Sequence, residues 1–279
     1  MPALAASLDD PPSGRAGPVW FDALAYCREK LLSGAPVPWA SPGELSAFFA
    51  KAQGMFRSDV LLVDLADLYA QRVEQDHALP RAMAARSRPG FALRTLLADE
   101  HARAIARDAM TAIGAGDATT PVVLSVPSPA GWLAISAQQA GAPAEGPPEP
   151  RHVEAAAMYV ADLLRVFATA RVDGLLLDEG ATSDTDVEAY RPVLNVAGNY
   201  QWPVWVRTDD APCWPQGEID GVAGWLGARA PEIAGGPWGT VVAADGAQPP
   251  PAAGARVVLA VVPAAADPDK VMGWVRQLT

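Results

Sequence analysis

Soft metal ligands are nearly absent from this chain: two cysteines, Cys27 and Cys213, and three histidines, His77, His101 and His152, are spread over 279 residues. Neither cysteine belongs to a CxxC pair or to a Cys/His cluster of metal-ligand spacing, so the sequence supports neither a disulfide framework nor a zinc-thiolate centre, and a reducing, cytoplasmic setting is expected. Positive charge is scarce as well, with 21 Lys and Arg against 32 Asp and Glu and a formal net charge of -11. Without a basic stripe, that field repels phosphate backbones and anionic lipid, which argues against nucleic acid and membrane surfaces as partners. No apolar run reaches membrane-spanning length. Residues 1–18 carry Asp9, Asp10 and several Pro and Gly instead of a basic flank and an apolar stretch, so they read as a flexible N-terminal segment and not as a secretory signal.

Apolar material, in contrast, is plentiful. Hydrophobic residues make up 50% of the chain and charged residues 19%, enough for one large core over residues 19–279. Abundant Ala, Pro, Gly and Arg point to a GC-rich bacterial source. Short β-rich runs alternate with longer helix-like stretches, the pattern of βα units with a parallel sheet. Eight strands are expected: Val37–Trp39 or alternatively Pro18–Phe21, then Val60–Leu65, Val122–Val126, Gly174–Asp178, Pro203–Arg207, Gly221–Leu226, Gly239–Ala243 and Arg256–Val262. Runs such as VLLV, VVLSV and GLLLD are continuous, as strands buried on both faces require. The predicted fold is a single (β/α)8 TIM barrel.

Helix starts are signalled by Ser41, Pro42 and Glu44 before LSAFFAKAQGMF, and by Asp267, Pro268 and Asp269 before the last helix. Thr95–Ala115 and His152–Ala170 read as long helices. The Pro- and Gly-rich stretches 140–150 and 244–254 read as loops, solvated connectors or lids.

Four stretches carry a family likeness: SPGELSAFFAKAQGMFRSDVLLVDLADL, PVVLSVPSPAGWLAI, HVEAAAMYVADLLRVFATARVDGLLLDEG and VVLAVVPAAADPDKVMGWVRQL. In this order they resemble the superfamily that unites uroporphyrinogen decarboxylase with the catalytic half of cobalamin-independent methionine synthase. The resemblance implies a barrel. It also matches Asp178 to the aspartate of an "IDEP" strand end that binds a substrate amine, and sets the decarboxylase aspartate at Asp64 or Asp67. Where the methionine synthase branch holds zinc, this chain reads VRTDDAPC, GVAGWLG and VVPAAAD, which supply no ligand except Cys213, so zinc is not expected. The arginine-rich decarboxylase motif is replaced by VWFDALAYCREK with Arg28 alone, which argues against a porphyrinogen substrate.

In a barrel, function gathers at the carboxyl ends of the strands. Asp178 and Glu179 end the fourth strand and are candidates for cation binding or general-base work. Asp209 and Asp210 follow Arg207 and Thr208; they read either as a solvated pair or as acids sharing a hard divalent cation such as magnesium. Asp64, Asp67 and Tyr69 cluster after the second strand, and Asp22 after the first. Ser125 and Ser128 flank Pro127, where turn formation is the plainer role. The histidines fall outside strand ends and are expected to face solvent. Trp132, Trp202, Trp205, Trp214, Trp225 and Trp238 either wall a ligand pocket or fill the core; Trp132 and Trp225 are the pocket candidates. The expected function is that of a zinc-independent barrel enzyme acting on a small organic substrate through Asp178, Asp209 or Asp210, and Asp64 or Asp67. Glu179, Arg207, Trp132, Ser125, Tyr69, Asp22 and Trp225 would bind the substrate. Methyl transfer, decarboxylation and another lyase or isomerase step are each compatible with acids alone. The alternative is a non-catalytic barrel binding a ligand or a partner protein, and a homodimer is compatible with either.

Overall fold

Strand β1 (Val19–Asp22) alternates cleanly: Trp20 packs inside a ring of strands, while Val19 and Phe21 pack outward against helices. The computed structural model describes residues 3–142, 146–180, 187–209, 219–228, 237–247 and 256–278. After β1 come α2 (Leu24–Leu32), α3 (Pro42–Phe56), β2 (Leu61–Asp64), α4 (Leu65–Gln75), α5 (Ala78–Met83), α6 (Phe91–Leu97) and α7 (Glu100–Gly116). Next are β3 (Val122–Pro127), α8 (Pro129–Gln139), α9 (Pro150–Leu164), β4 (Gly174–Asp178), α10 (Arg191–Asn199) and β5 (Val204–Arg207). The series ends with β6 (Val222–Gly227), β7 (Trp238–Ala243), β8 (Val257–Val261) and α11 (Pro268–Arg276). All seven ladders are parallel, in the order β1-β8-β7-β6-β5-β4-β3-β2. The chain is a (β/α)8 barrel with one open seam, between β1 and β2. Among the described residues no helix is long and apolar enough to cross a membrane.

The barrel interior is a packed core, as this architecture requires. Trp20, Val60, Val123, Leu176, Trp205, Leu226, Val257 and Leu259 interdigitate there, with Trp20 edge-on to Trp205 at 5.3 Å between ring centroids. The outer layer joins the other faces of the strands to the helices, with Phe48, Phe49 and Phe56 of α3 and Val160, Leu163 and Leu164 of α9 buried in it.

The N-terminal residues are not the flexible segment expected from composition. A short helix, α1 (Ala3–Asp9), places Leu4 fully buried in the interior cluster. Residues 13–15 are tied to the seam through Asp59 and Arg15. Gly174 makes room for this plug, because a Cβ there would overlap Leu4 Cδ2. Gly174→Ala is therefore expected to cost about 1–3 kcal/mol by overpacking. Combining it with Leu4→Ala should cost less than the two single changes added together, a coupling that denaturant unfolding of all three variants will read.

Three local expectations are corrected. Val37–Trp39 is not a strand; Pro36 and Pro38 remove alternate amide donors and cannot serve a ladder, so Pro18–Phe21 was the correct alternative. The single helix Thr95–Ala115 is two helices, broken where the Asp99 carboxylate accepts from Ala102 N (2.7 Å) and caps α7. Ser41 does precede Pro42 at the start of α3, but its hydroxyl makes no capping hydrogen bond, whereas Asp267 caps α11 through the amides of Asp269 and Lys270. Of the histidines, His77 and His101 are exposed and His152 is half-buried on α9.

Candidate functional site

A cavity of about 760 Å³ opens at the carboxyl ends of the strands. One end is polar. Asp22, Asp64, Ser125 and Asp178 line it from β1, β2, β3 and β4, with Arg207 from β5 and Glu179 just beyond β4. Each strand alternates, so these residues follow inward core residues by two positions: Trp20 then Asp22, Leu62 then Asp64, Leu176 then Asp178, Trp205 then Arg207.

Arg207 ties the acids together. Its Nη1 donates to Asp22 Oδ2 at 2.9 Å and reaches Asp178 Oδ2 at 3.3 Å. Burial alone would release the guanidinium proton more easily, but Asp178, Asp22 and Asp209 outweigh it and hold the group more firmly charged. Asp178 Oδ1 also accepts from Gly180 N at 3.0 Å. Even so, burial lifts its pKa above the ordinary carboxylate range against the pull of Arg207.

Asp64 differs because, among the described residues, no cation contributes to its field. Its Oδ1 accepts from Ala66 N at 2.8 Å, capping α4, and this favours the charged form. Loss of solvation and the charge of Asp22 oppose that hydrogen bond, with smaller contributions from Asp67 and Asp178, and lift the carboxyl to about 7. A carboxyl that titrates near neutrality in a cavity is suited to both giving and taking a proton.

The expected site residues divide sharply. Asp22, Asp64, Ser125, Asp178, Glu179 and Arg207 converge on the cavity. Asp209 is exposed on the loop after β5, where its amide donates to Gly180 O and its charge reaches Asp178 and Arg207 only through space. Asp210 and Cys213 lie outside the described residues. Asp67 belongs to the outside of the barrel: it accepts from Trp39 Nε1 (2.8 Å) and Gln71 Nε2 (3.1 Å) and pairs with Arg28. Of the two aspartates after β2, only Asp64 lines the cavity. Tyr69 and Trp132 are not pocket walls either: the cavity does not reach them, and they pack edge-on against each other at 5.6 Å between centroids, fully buried. Trp225 points outward from β6 into the helix layer. These three aromatics sit on buried helix or strand faces, where packing uses the same chemistry as a pocket wall.

The other end of the cavity was missed from sequence. Phe48, Phe49, Ala52 and Phe56 of α3 form it, with Phe21, Leu24, Cys27 and Leu61. The cluster of phenylalanines in LSAFFAKAQGMF was the available signal. Cys27 is buried there, and burial pushes its thiol up to about 12, so it stays protonated and is no nucleophile. Gly146, Pro147 and Pro148 of the Pro-rich stretch 140–150 also line the cavity, so at these residues the stretch covers the site instead of serving as a plain connector.

Among the described residues no group of three or more His, Cys, Asp and Glu side chains is arranged to hold a metal ion. Comparison with protein-family models gives no match, and comparison with curated proteins gives none either.

Proposed function

We propose that this chain is a divergent, zinc-independent enzyme of the uroporphyrinogen decarboxylase and cobalamin-independent methionine synthase superfamily, acting on a small organic substrate by acid–base chemistry. The observation that carries the reading is the convergence of Asp22, Asp64, Asp178 and Arg207 on one cavity at the carboxyl ends of the strands. In this scheme Asp64 exchanges a proton with the substrate, because burial and the charge of Asp22 bring its carboxyl to about 7. Asp178 and Asp22, steadied by Arg207, receive an amine or hydroxyl group of the substrate. Among the described residues lining the cavity, four carboxyl groups against one guanidinium favour a cationic or donor-rich head and oppose an anionic one. The superfamily reading draws support from the four resembling stretches, which fall in order on α3-β2-α4, β3-α8, α9-β4 and β8-α11. The setting is the cytoplasm and the partner is a small molecule.

Thermal-shift screening with primary amines tests the head-group assignment. A ligand at a hundredfold excess over its dissociation constant stabilises the folded chain by about 2.7 kcal/mol. That stabilisation is expected in the unaltered protein and should vanish in Asp178→Ala. Equal stabilisation of both proteins removes Asp178 from the site. A protein that binds small molecules but turns none over would instead be a non-catalytic barrel.

A further inference from the structure

The two edges that should close the barrel are not zipped. Among the described residues, the one backbone hydrogen bond between β1 and the start of β2 runs from Asp59 N to Val19 O (3.0 Å). Side chains supply the rest: Asp59 Oδ2 accepts from Val19 N (2.8 Å) and Ser58 Oγ from Phe21 N (3.0 Å). These contacts pin the seam beside the Ser58–Asp59 turn, and toward the carboxyl ends no ladder joins β1 to β2.

One cavity is lined by both faces of these strands. Asp22, Val60, Leu62 and Asp64 point into the barrel, whereas Phe21 and Leu61 point out toward α3. A single space can meet inward and outward side chains of the same two strands only by passing between them. The cavity therefore leads from the acidic mouth through the seam into a side chamber under α3, walled by Phe48, Phe49, Ala52 and Phe56.

The chamber offers a ligand almost nothing polar. Gln53 is the one amide on its wall, and that amide is committed: Nε2 donates to Ser58 O (2.7 Å) and Thr120 Oγ1 (3.2 Å), while Oε1 accepts from Ser58 N (3.1 Å). Ser58 Oγ is taken by Phe21 N. Cores pack to near-crystalline density, so an apolar chamber continuous with a polar mouth marks a binding compartment and not loose packing.

We propose that the substrate of the mouth site is a long-chain amphiphile whose alkyl tail threads the β1–β2 seam into the chamber under α3, its polar head lying at Asp22, Asp178 and Arg207. This rests on the head-group reading given above. The acids take the only part of the molecule that needs hydrogen bonds. The phenylalanines take the part that gains from leaving water.

A series of n-alkylamines from butylamine to dodecylamine, titrated calorimetrically below micelle-forming concentrations, provides the test. Affinity is expected to rise about fourfold with each methylene until the chamber is full, the factor that about 0.8 kcal/mol per buried CH₂ implies. Ala52→Phe fills the chamber from α3, and the expected result is a loss of at least about tenfold in the ratio of dodecylamine to butylamine affinity. Ala52→Leu, a milder change, should flatten the same ratio partway and decides the matter if the phenylalanine variant does not fold. A ratio unchanged in the folded variants overturns the tail assignment, as does a wild-type affinity that ignores chain length while butylamine still binds; in both cases the head-group reading stands. If no amine of any length binds, the head-group reading falls and the tail assignment with it.

Discussion

Replacing Asp59 with alanine is expected to destabilise the protein by about 3–5 kcal/mol, the range for breaking a buried ion pair by removing one partner. Asp59 is fully buried beside the seam. Its two carboxylate oxygens accept from Ser13 N and Val19 N, both at 2.8 Å, and Arg15 Nη1 lies 3.8 Å from Oδ2 with almost no exposure of either side chain. Alanine would strand two amide donors and remove the counter-charge of the Arg15 guanidinium, which keeps its hydrogen bonds to Arg57 O and Phe56 O. Arg15 is already pushed toward easier proton loss by burial, with Asp59 the main opposing charge, so it suffers most from the deletion. Asp59→Asn keeps one acceptor and should fall between alanine and the parent. Urea unfolding measures the three proteins, and a loss below about 1 kcal/mol for the alanine variant would mean that the seam is held by something other than this clamp.

The second large effect has the opposite sign. Asp64→Asn should make the protein more stable above neutral pH and, on the acid–base scheme proposed above, lower turnover about a hundredfold to ten-thousandfold, the usual worth of a general acid or base. The folded-state carboxyl is lifted from 3.8 to about 7, chiefly by lost solvation and the charge of Asp22. Because the folded value lies above the unfolded one, the native chain holds this proton more tightly. The stability that the proton confers is complete below about pH 4 and is lost as pH rises through about 7. A gap of that width corresponds to about 4 kcal/mol at most, and water entering the cavity mouth reduces it to about 2 kcal/mol. Asparagine can keep the acceptor toward Ala66 N and carries no charge, so the fall in stability over that window should be shallower in the variant, with Asp178 supplying what remains. Unfolding midpoints from pH 4 to 8 check this: a parent protein with no downward slope, or a variant no more stable than the parent at pH 8, contradicts the assignment of Asp64 as the displaced carboxyl. A group that costs stability in its charged form is the kind retained for chemistry.

Much of the candidate site was within reach of the sequence. A strand's side chains alternate, so once Trp20, Leu176 and Trp205 are placed inside the barrel, Asp22, Asp178 and Arg207 must point the same way. Asp67 was harder to separate from Asp64, since the two are three residues apart across a strand–helix boundary. Only the start of α4 at Leu65 shows that Asp64 still belongs to the strand while Asp67 has turned outward to Trp39, Gln71 and Arg28. The first of the resembling stretches spans α3, yet its phenylalanines read as ordinary core residues until the cavity beneath them was seen.

The sequence by itself determined the parallel architecture and the acidic mouth. Continuous apolar runs, helix starts at Asp267 and Pro268, and the scarcity of Cys and His are local properties, readable without knowing any long-range contact. Tertiary structure alone decided that β1 and β2 do not pair, that Leu4 closes the barrel floor, and which aromatic residues of the core also wall a cavity. The physical reason is that a paired strand edge and an unpaired one, or a phenylalanine against a neighbour and one against a void, have the same apolar pattern. What separates them is the distance to residues far along the chain, such as the 40 positions between Val19 and Asp59.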